Sequence, residues 1–253
     1  MHVRLAELAR PLRPLRAALA FMTCVPVGRA AIEPRVLGRS VPFFPAVGVL
    51  LGLVLFAAAT AVHERLPPEL SAVLLIALLA ALTGGLHLDG LADVFDGLAG
   101  GRGDRARTLA IMRDSRIGAA GATALCLHLA AKLVAVSTLL QHGTLWPLLA
   151  APAVARGCTV ILICAFPYAR EDGLGRAFAD HRRWSDVWPT LATCGAVLAA
   201  GGMSSVTPAL LAVATSLACG ALLQRRLGGL TGDAYGAAIE LAELVFWIST
   251  TES

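Results

Sequence analysis

The sequence predicts an all-α fold, a polytopic integral membrane bundle of about seven transmembrane helices, and three observations carry that prediction. Of the 253 residues, 57% are hydrophobic and only 15% charged, a balance that favours lipid over water as the solvent. Apolar runs close to the roughly 20 residues needed to cross a bilayer recur along the chain. Arginines collect in alternate connections between those runs, as expected where cytoplasmic loops retain positive charge.

Residues 1–41 read as a cytoplasmic or interfacial segment, studded by Arg4, Arg10, Arg13, Arg16, Arg29, Arg35 and Arg39. The apolar stretch 15–27 within it is short, and suits a helix that lies on the membrane surface or re-enters it. No cleavable leader is expected, because no clean apolar core precedes a small-residue cleavage site. Residues 42–253 then form the bundle of a single membrane domain. Spans are expected at 42–62, 68–88, 117–140 and 145–167, then two short ones at 187–202 and 206–223 parted by a polar turn, and a last one at 234–250. Arg102, Arg105, Arg107, Arg113 and Arg116 follow the second span, Arg170, Arg176, Arg182 and Arg183 follow the fourth, and Arg225 and Arg226 precede the last. The opposite connections hold Arg65 alone, so the N-terminus is expected in the cytoplasm and the C-terminus outside. The net charge of +4 is therefore read as topology, and nucleic-acid binding is not expected. The six cysteines are scattered with no C-x-x-C pair and read as small packed hydrophobes, not as a disulfide frame or zinc site.

Chemistry is expected in the long, Gly-rich cytoplasmic loops and the helix ends beside them. Asp89, Asp93 and Asp96 are spaced i, i+4 and i+7, which aligns three carboxylates on one helical stripe. Like charges stacked in this way repel, and a divalent cation with oxygen ligands relieves the repulsion; Mg²⁺ with its waters and a substrate phosphate fits such a set. Gly85 and Gly90 flank the stripe and permit close approach of a ligand. His87 falls on the opposite side and reads as a packing histidine. In the next loop Arg113 and Arg116 offer planar donor forks for phosphate oxygens, and Asp114 either joins the metal shell or orients an Arg; a salt-bridged helix start is the other reading of Arg116. Near the C-terminus Asp233 and Glu240 lie seven residues apart on one face, with Glu243 three further on. The last helix thus repeats the second in having a Gly-rich entry followed by acids, and two acidic faces meeting at one end would serve phosphoryl chemistry. Lys132 and Arg156 stand within apolar spans, where each is expected to face the interior and pair with an acid or with anionic substrate; snorkelling of Arg156 is the alternative. The loop from Tyr168 to Phe178 reads either as a charged flap over substrate or as an ordinary connection.

The segments Phe43-Phe-Pro-Ala-Val-Gly48, Gly84-Gly-Leu-His-Leu-Asp-Gly-Leu-Ala-Asp-Val-Phe-Asp-Gly97, Met112-Arg-Asp-Ser-Arg-Ile-Gly118, Gly173-Leu-Gly175 and Gly229-Leu-Thr-Gly-Asp-Ala-Tyr-Gly-Ala237 resemble those of the cobalamin synthase family, the adenosylcobinamide-GDP ribazoletransferases. The resemblance spans nearly the whole chain in order. It implies a multi-pass, Mg²⁺-dependent enzyme of the bacterial inner membrane with its active site on the cytoplasmic side. Its substrates would be adenosylcobinamide-GDP and α-ribazole or its 5′-phosphate, its products adenosylcobalamin or its 5′-phosphate and GMP, and association with other cobalamin-assembly enzymes would fit. In that reading Asp89, Asp93 and Asp96, with Asp233 and Glu240, hold Mg²⁺. Arg113 and Arg116, with Lys132 and Arg156, meet phosphate or substrate charge, and Asp114 or Asp233 accepts a proton.

Two other membrane transferases share parts of this inventory. CDP-alcohol phosphotransferases share the Asp-Gly-x-x-Ala beginning but carry Arg where this chain has Asp93, and polyprenyl transferases space their aspartates differently. An ion-coupled transporter would use Lys132, Arg156 and Glu240; the lack of an inverted repeat and the gathering of acids at one face speak against it.

Overall fold

The computed structural model describes residues 12–27 and 33–251; Arg4, Arg10 and Arg29 of the basic N-terminal group lie outside them. Among the described residues every regular element is helical, apart from one isolated bridge between Tyr168 and Leu230. A short amphipathic helix α1 (Arg13–Met22) buries Ala17, Ala18 and Met22. It is followed by α2 (Pro34–Gly38) and, after one 3₁₀ turn, by α3 (Phe44–Val62). Then come α4 (Pro68–Thr83), α5 (Leu86–Gly101), α6 (Arg105–Ile111), α7 (Ala119–Gln141) and α8 (Trp146–Ala165). The chain ends with α9 (Leu174–His181), α10 (Val187–Leu198), α11 (Val206–Leu227) and α12 (Gly232–Thr250).

Four helical stretches among the described residues are long and apolar enough to cross a membrane, or five if α4 and α5 together count as one broken span. The count of seven is not confirmed: 184–227 forms one such stretch, interrupted at Gly202 with φ 61° and ψ −150°, and α12 carries three acids. Outward-facing Leu53, Leu74, Val134, Leu191 and Leu210 are exposed on five different helices, which is how a bundle meets hydrocarbon.

The centre of the bundle is α8, which buries nearly its whole circumference. Helix α3 lies on it through Gly48 and Gly52, where any Cβ would collide with the α8 backbone at Leu149 and Pro152. This Gly-xxx-Gly seam lets two backbones touch, the main source of helix association where lipid removes the hydrophobic drive. Trp247 of α12 locks the far side, its indole N–H donating to Pro147 O at 3.1 Å.

The expected span 68–88 does not run straight. Gly84 and Gly85 both adopt left-handed backbone, φ 62° and 71°, and turn α5 by 89° from α4. Helix α5 thus leaves the line of α4 and carries its acids with it, packed against α7 and α12.

Candidate functional site

The Arg-bearing connections meet at the end of the bundle where α5 lies. The loop after α8 joins the loop before α12 through Ala169 N–H to Leu230 O and Leu230 N–H to Pro167 O, each 2.8 Å. Arg105 donates to Ala169 O at 3.3 Å, Arg113 pairs with Asp172 at 2.6 Å, and Arg170 reaches Asp233 at 2.8 Å. Sequence distance hides these links; the alternation of charge along the chain foreshadows them.

Helix α12 starts beneath this loop layer, its first turn capped by the Thr231 hydroxyl, which accepts from Ala234 N–H at 3.2 Å. Gly90 of α5 packs on the α12 backbone, where a Cβ would stand 2.8 Å from Asp233 O. Gly90 is thus a packing contact that brings the two acidic helices together. Two clefts open here. The wider, about 700 Å³, is lined by Gly85, Asp89, Asp93, Ser115 and Arg116 among others. The narrower, about 220 Å³, is lined by Asp89, Tyr168, Arg170, Asp233 and Tyr235 among others. Phe21, Leu86 and Asp89 line both, so the clefts adjoin at Asp89. Asp93 lines the wide cleft beside Asp89, while Asp233 and Arg170 line the narrow one.

The other sequence-singled acids have different surroundings. Asp96 accepts hydrogen bonds from Gly118 N–H at 2.7 Å and Gly121 N–H at 2.8 Å, so it serves as a distant cap on the N-terminus of α7 and is turned away from the cleft stripe. Asp114 is partly exposed and held by Arg116 through paired bonds of 3.0 and 2.6 Å; these hold its carboxyl down at about 2. The pair therefore takes the orienting role open to Asp114, and Arg116 reaches the wide cleft from it.

Lys132, Arg156 and Glu240 do not join this site. They lie deeper, in a buried ion cluster that crosses the bundle. Glu240 takes Lys132 and His128, the latter at 2.8 Å; Glu243 takes Lys132 at 3.1 Å and Arg156 at 2.7 Å. Arg156 is 0% exposed and Glu243 1%. His87, at 3.5 Å from Arg156, links the cluster back to α5. Two cations face two carboxylates, so the charges cancel within the cluster, leaving Lys132 and Arg156 committed to acids and Glu240 to cations. Pairing with an intramembrane acid was one of the two roles expected for the cations; binding substrate or, for Glu240, metal has no support in this geometry.

The sequence marks Tyr168 and Arg170 only as parts of a charged loop, a flap over substrate or an ordinary connection, and gives Tyr235 no role of its own. Arg170 pairs with Asp233, which also accepts from the Thr231 hydroxyl at 3.4 Å, and the Arg170 Nε is buried with no partner; its only signal in the sequence was its place in the charged loop after α8.

Among the described residues no three His, Cys, Asp or Glu side chains already stand as a metal cage. A Mg²⁺ ion that keeps several waters needs only one or two carboxylates and a substrate phosphate, and Asp89, Asp93 and Asp233 are all-oxygen donors of that kind.

Comparison with known proteins agrees with the motifs. A family model described as cobalamin-5-phosphate synthase matches residues 14–251. A protein of Pseudomonas paraeruginosa named adenosylcobinamide-GDP ribazoletransferase is 44% identical over 237 residues, covering 92% of this chain and 95% of that protein. One of the same name from Pseudomonas putida is 42% identical over 91% of this chain and 95% of its own. No solved structure matches.

Proposed function

Because the chain belongs to the cobalamin-5-phosphate synthase family, we propose that it is an adenosylcobinamide-GDP ribazoletransferase, joining α-ribazole or its 5′-phosphate to adenosylcobinamide-GDP with release of GMP. The observation that carries this reading is the meeting of Asp89, Asp93, Asp233 and Arg170 where two clefts adjoin at Asp89. Such a reaction needs two bound substrates, neutralised phosphate charge and a proton acceptor.

The ribazole hydroxyl oxygen attacks the phosphorus that bears cobinamide, and the bond from that phosphorus to the bridging oxygen breaks as GMP departs. Arg116, oriented by Asp114, lines the wide cleft where it can meet phosphate oxygens; Arg113 is paired with Asp172 and lines a separate cleft. Arg170 lines the narrow cleft and pairs there with Asp233. Asp233, on the narrow cleft, is placed to accept the hydroxyl proton. Asp89 and Asp93, with Asp233, would hold Mg²⁺, which when bound neutralises diphosphate charge.

The inner-membrane setting and a cytoplasmic site are supported by the gathering of Arg-bearing loops around these acids. The test is turnover by purified protein in detergent given both substrates, with and without chelator. Corrinoid product and GMP formed only with Mg²⁺ are expected; substrate flux across proteoliposomes without covalent change would favour transport instead.

A further inference from the structure

The two clefts that meet at Asp89 differ in size and in the chemistry of their walls. The wide one is bounded by the Gly84–Gly85 turn, Asp93, Ser115 and Arg116, and has Phe21 as its one aromatic wall. The narrow one is walled by Phe21, Phe44, Tyr168, Phe178 and Tyr235. Three of these pack edge-to-face or stacked, Phe178 lying 4.9 Å from Phe21 and 5.3 Å from Phe44 between ring centroids, so the wall is rigid. Two residues of this lining carry a polar atom buried just behind it. The Tyr235 hydroxyl and the Arg170 Nε are both buried with no hydrogen-bond partner, and both residues line this cleft. A buried donor without a partner is destabilising unless something fills the need. An apolar, aromatic pocket with a few placed polar groups is the usual form of a site for a flat heteroaromatic ligand.

We propose that the narrow cleft is the subsite for the base and sugar of the ribazole substrate, with the Tyr235 hydroxyl and Arg170 as its polar anchors, and that the wide cleft receives the corrinoid diphosphate. Relative size orders the pair: the corrin ring with its nucleotide is by far the larger partner and takes the wider of the two clefts, which leaves the narrower one to the benzimidazole riboside. Asp89, which lines both clefts, then lies where the riboside hydroxyl and the diphosphate meet. This inference rests on the ribazoletransferase reading, and its test separates the two.

Gly232 lines the narrow cleft, and a Cβ there meets nothing within 4 Å, so Gly232→Leu extends into open space instead of displacing a neighbour. In steady-state assays with each substrate varied against saturating amounts of the other, Gly232→Leu should raise KM for α-ribazole about tenfold or more and leave KM for adenosylcobinamide-GDP within about twofold. Tyr235→Phe should raise the same KM by about threefold to tenfold without lowering thermal stability, since its hydroxyl bonds nothing in the free protein. Ser115→Trp, in the wide cleft, should show the reverse preference. Equilibrium dialysis of α-ribazole against wild type and Gly232→Leu, with no corrinoid present, reads the subsite without turnover. Turnover by wild type with the riboside KM unmoved in Gly232→Leu, or with only the corrinoid KM raised, overturns the subsite and leaves the function standing. Riboside retained by wild type and lost in Gly232→Leu, but with no GMP formed, upholds the subsite and overturns the function. No retention of riboside by wild type overturns the subsite.

Discussion

Helix α12 contributes acids to two regions only a few residues apart, and the two treat charge in opposite ways. Glu240 and Glu243 enter a cluster where Lys132, Arg156 and His128 satisfy them away from solvent. Asp233, two turns earlier, has one Arg partner and faces a cleft shared with Asp89, while Asp93 lines the adjoining cleft and forms no ion pair among the described residues. The difference teaches that an intramembrane acid is available for chemistry only if the fold has not already matched it. The deep cluster pins α7, α8 and α12 together and ties α5 to them through His87; the open end holds reactive charge in reserve for substrate and cation.

The largest expected effect comes from breaking the deep cluster. Arg156→Met leaves Glu243 short of a cation and should destabilise the detergent-solubilised protein by about 3–5 kcal/mol, whereas Arg156→Met with Glu243→Leu should recover much of the loss. Thermal unfolding of the two variants decides it, and a harmless single substitution would dissolve the distinction between the regions. At the open end the signs invert. Asp89→Asn and Asp233→Asn should each lower turnover by about 10²–10³-fold or more, while thermal unfolding shifts by no more than about 1 kcal/mol. Asp96→Ala sharpens the boundary, because loss of the α7 cap should lower stability by about 1 kcal/mol, with a smaller effect on rate than at Asp89. The smallest effect is expected from Asp172→Ala: its pair with Arg113 is exposed, and stability should change by less than about 1 kcal/mol, a result read in the same unfolding assay.

Much of the open end was legible in the sequence. The Gly-rich entries to two acidic helices, and the spacing of Asp89 and Asp93, pointed to α5 and α12 converging, and Gly90 does pack against the Asp233 backbone. Glu240 shows where periodicity stops short. It does share a helical face with Asp233, but seven residues correspond to about 10 Å along the axis, enough to move it from the cleft into the bundle interior. Asp96 likewise obeys the stripe, yet the N-terminus of α7, distant in sequence, takes its carboxylate. The right-angle turn was invisible because apolar residues continue across Gly84 and Gly85, and hydropathy carries no record of a left-handed φ. Arg170 was hidden for a related reason: nothing local to a loop reveals the helix it will touch.

The central claim is that Asp89 and Asp233, brought together from two helices, hold a divalent ion against a diphosphate. Mn²⁺ binding followed by electron paramagnetic resonance, in wild type, Asp89→Asn and Asp233→Asn with adenosylcobinamide-GDP present, tests it most directly. Bound Mn²⁺ in wild type that is weakened at least about tenfold in both folded variants is the predicted result; equal binding in all three would contradict it.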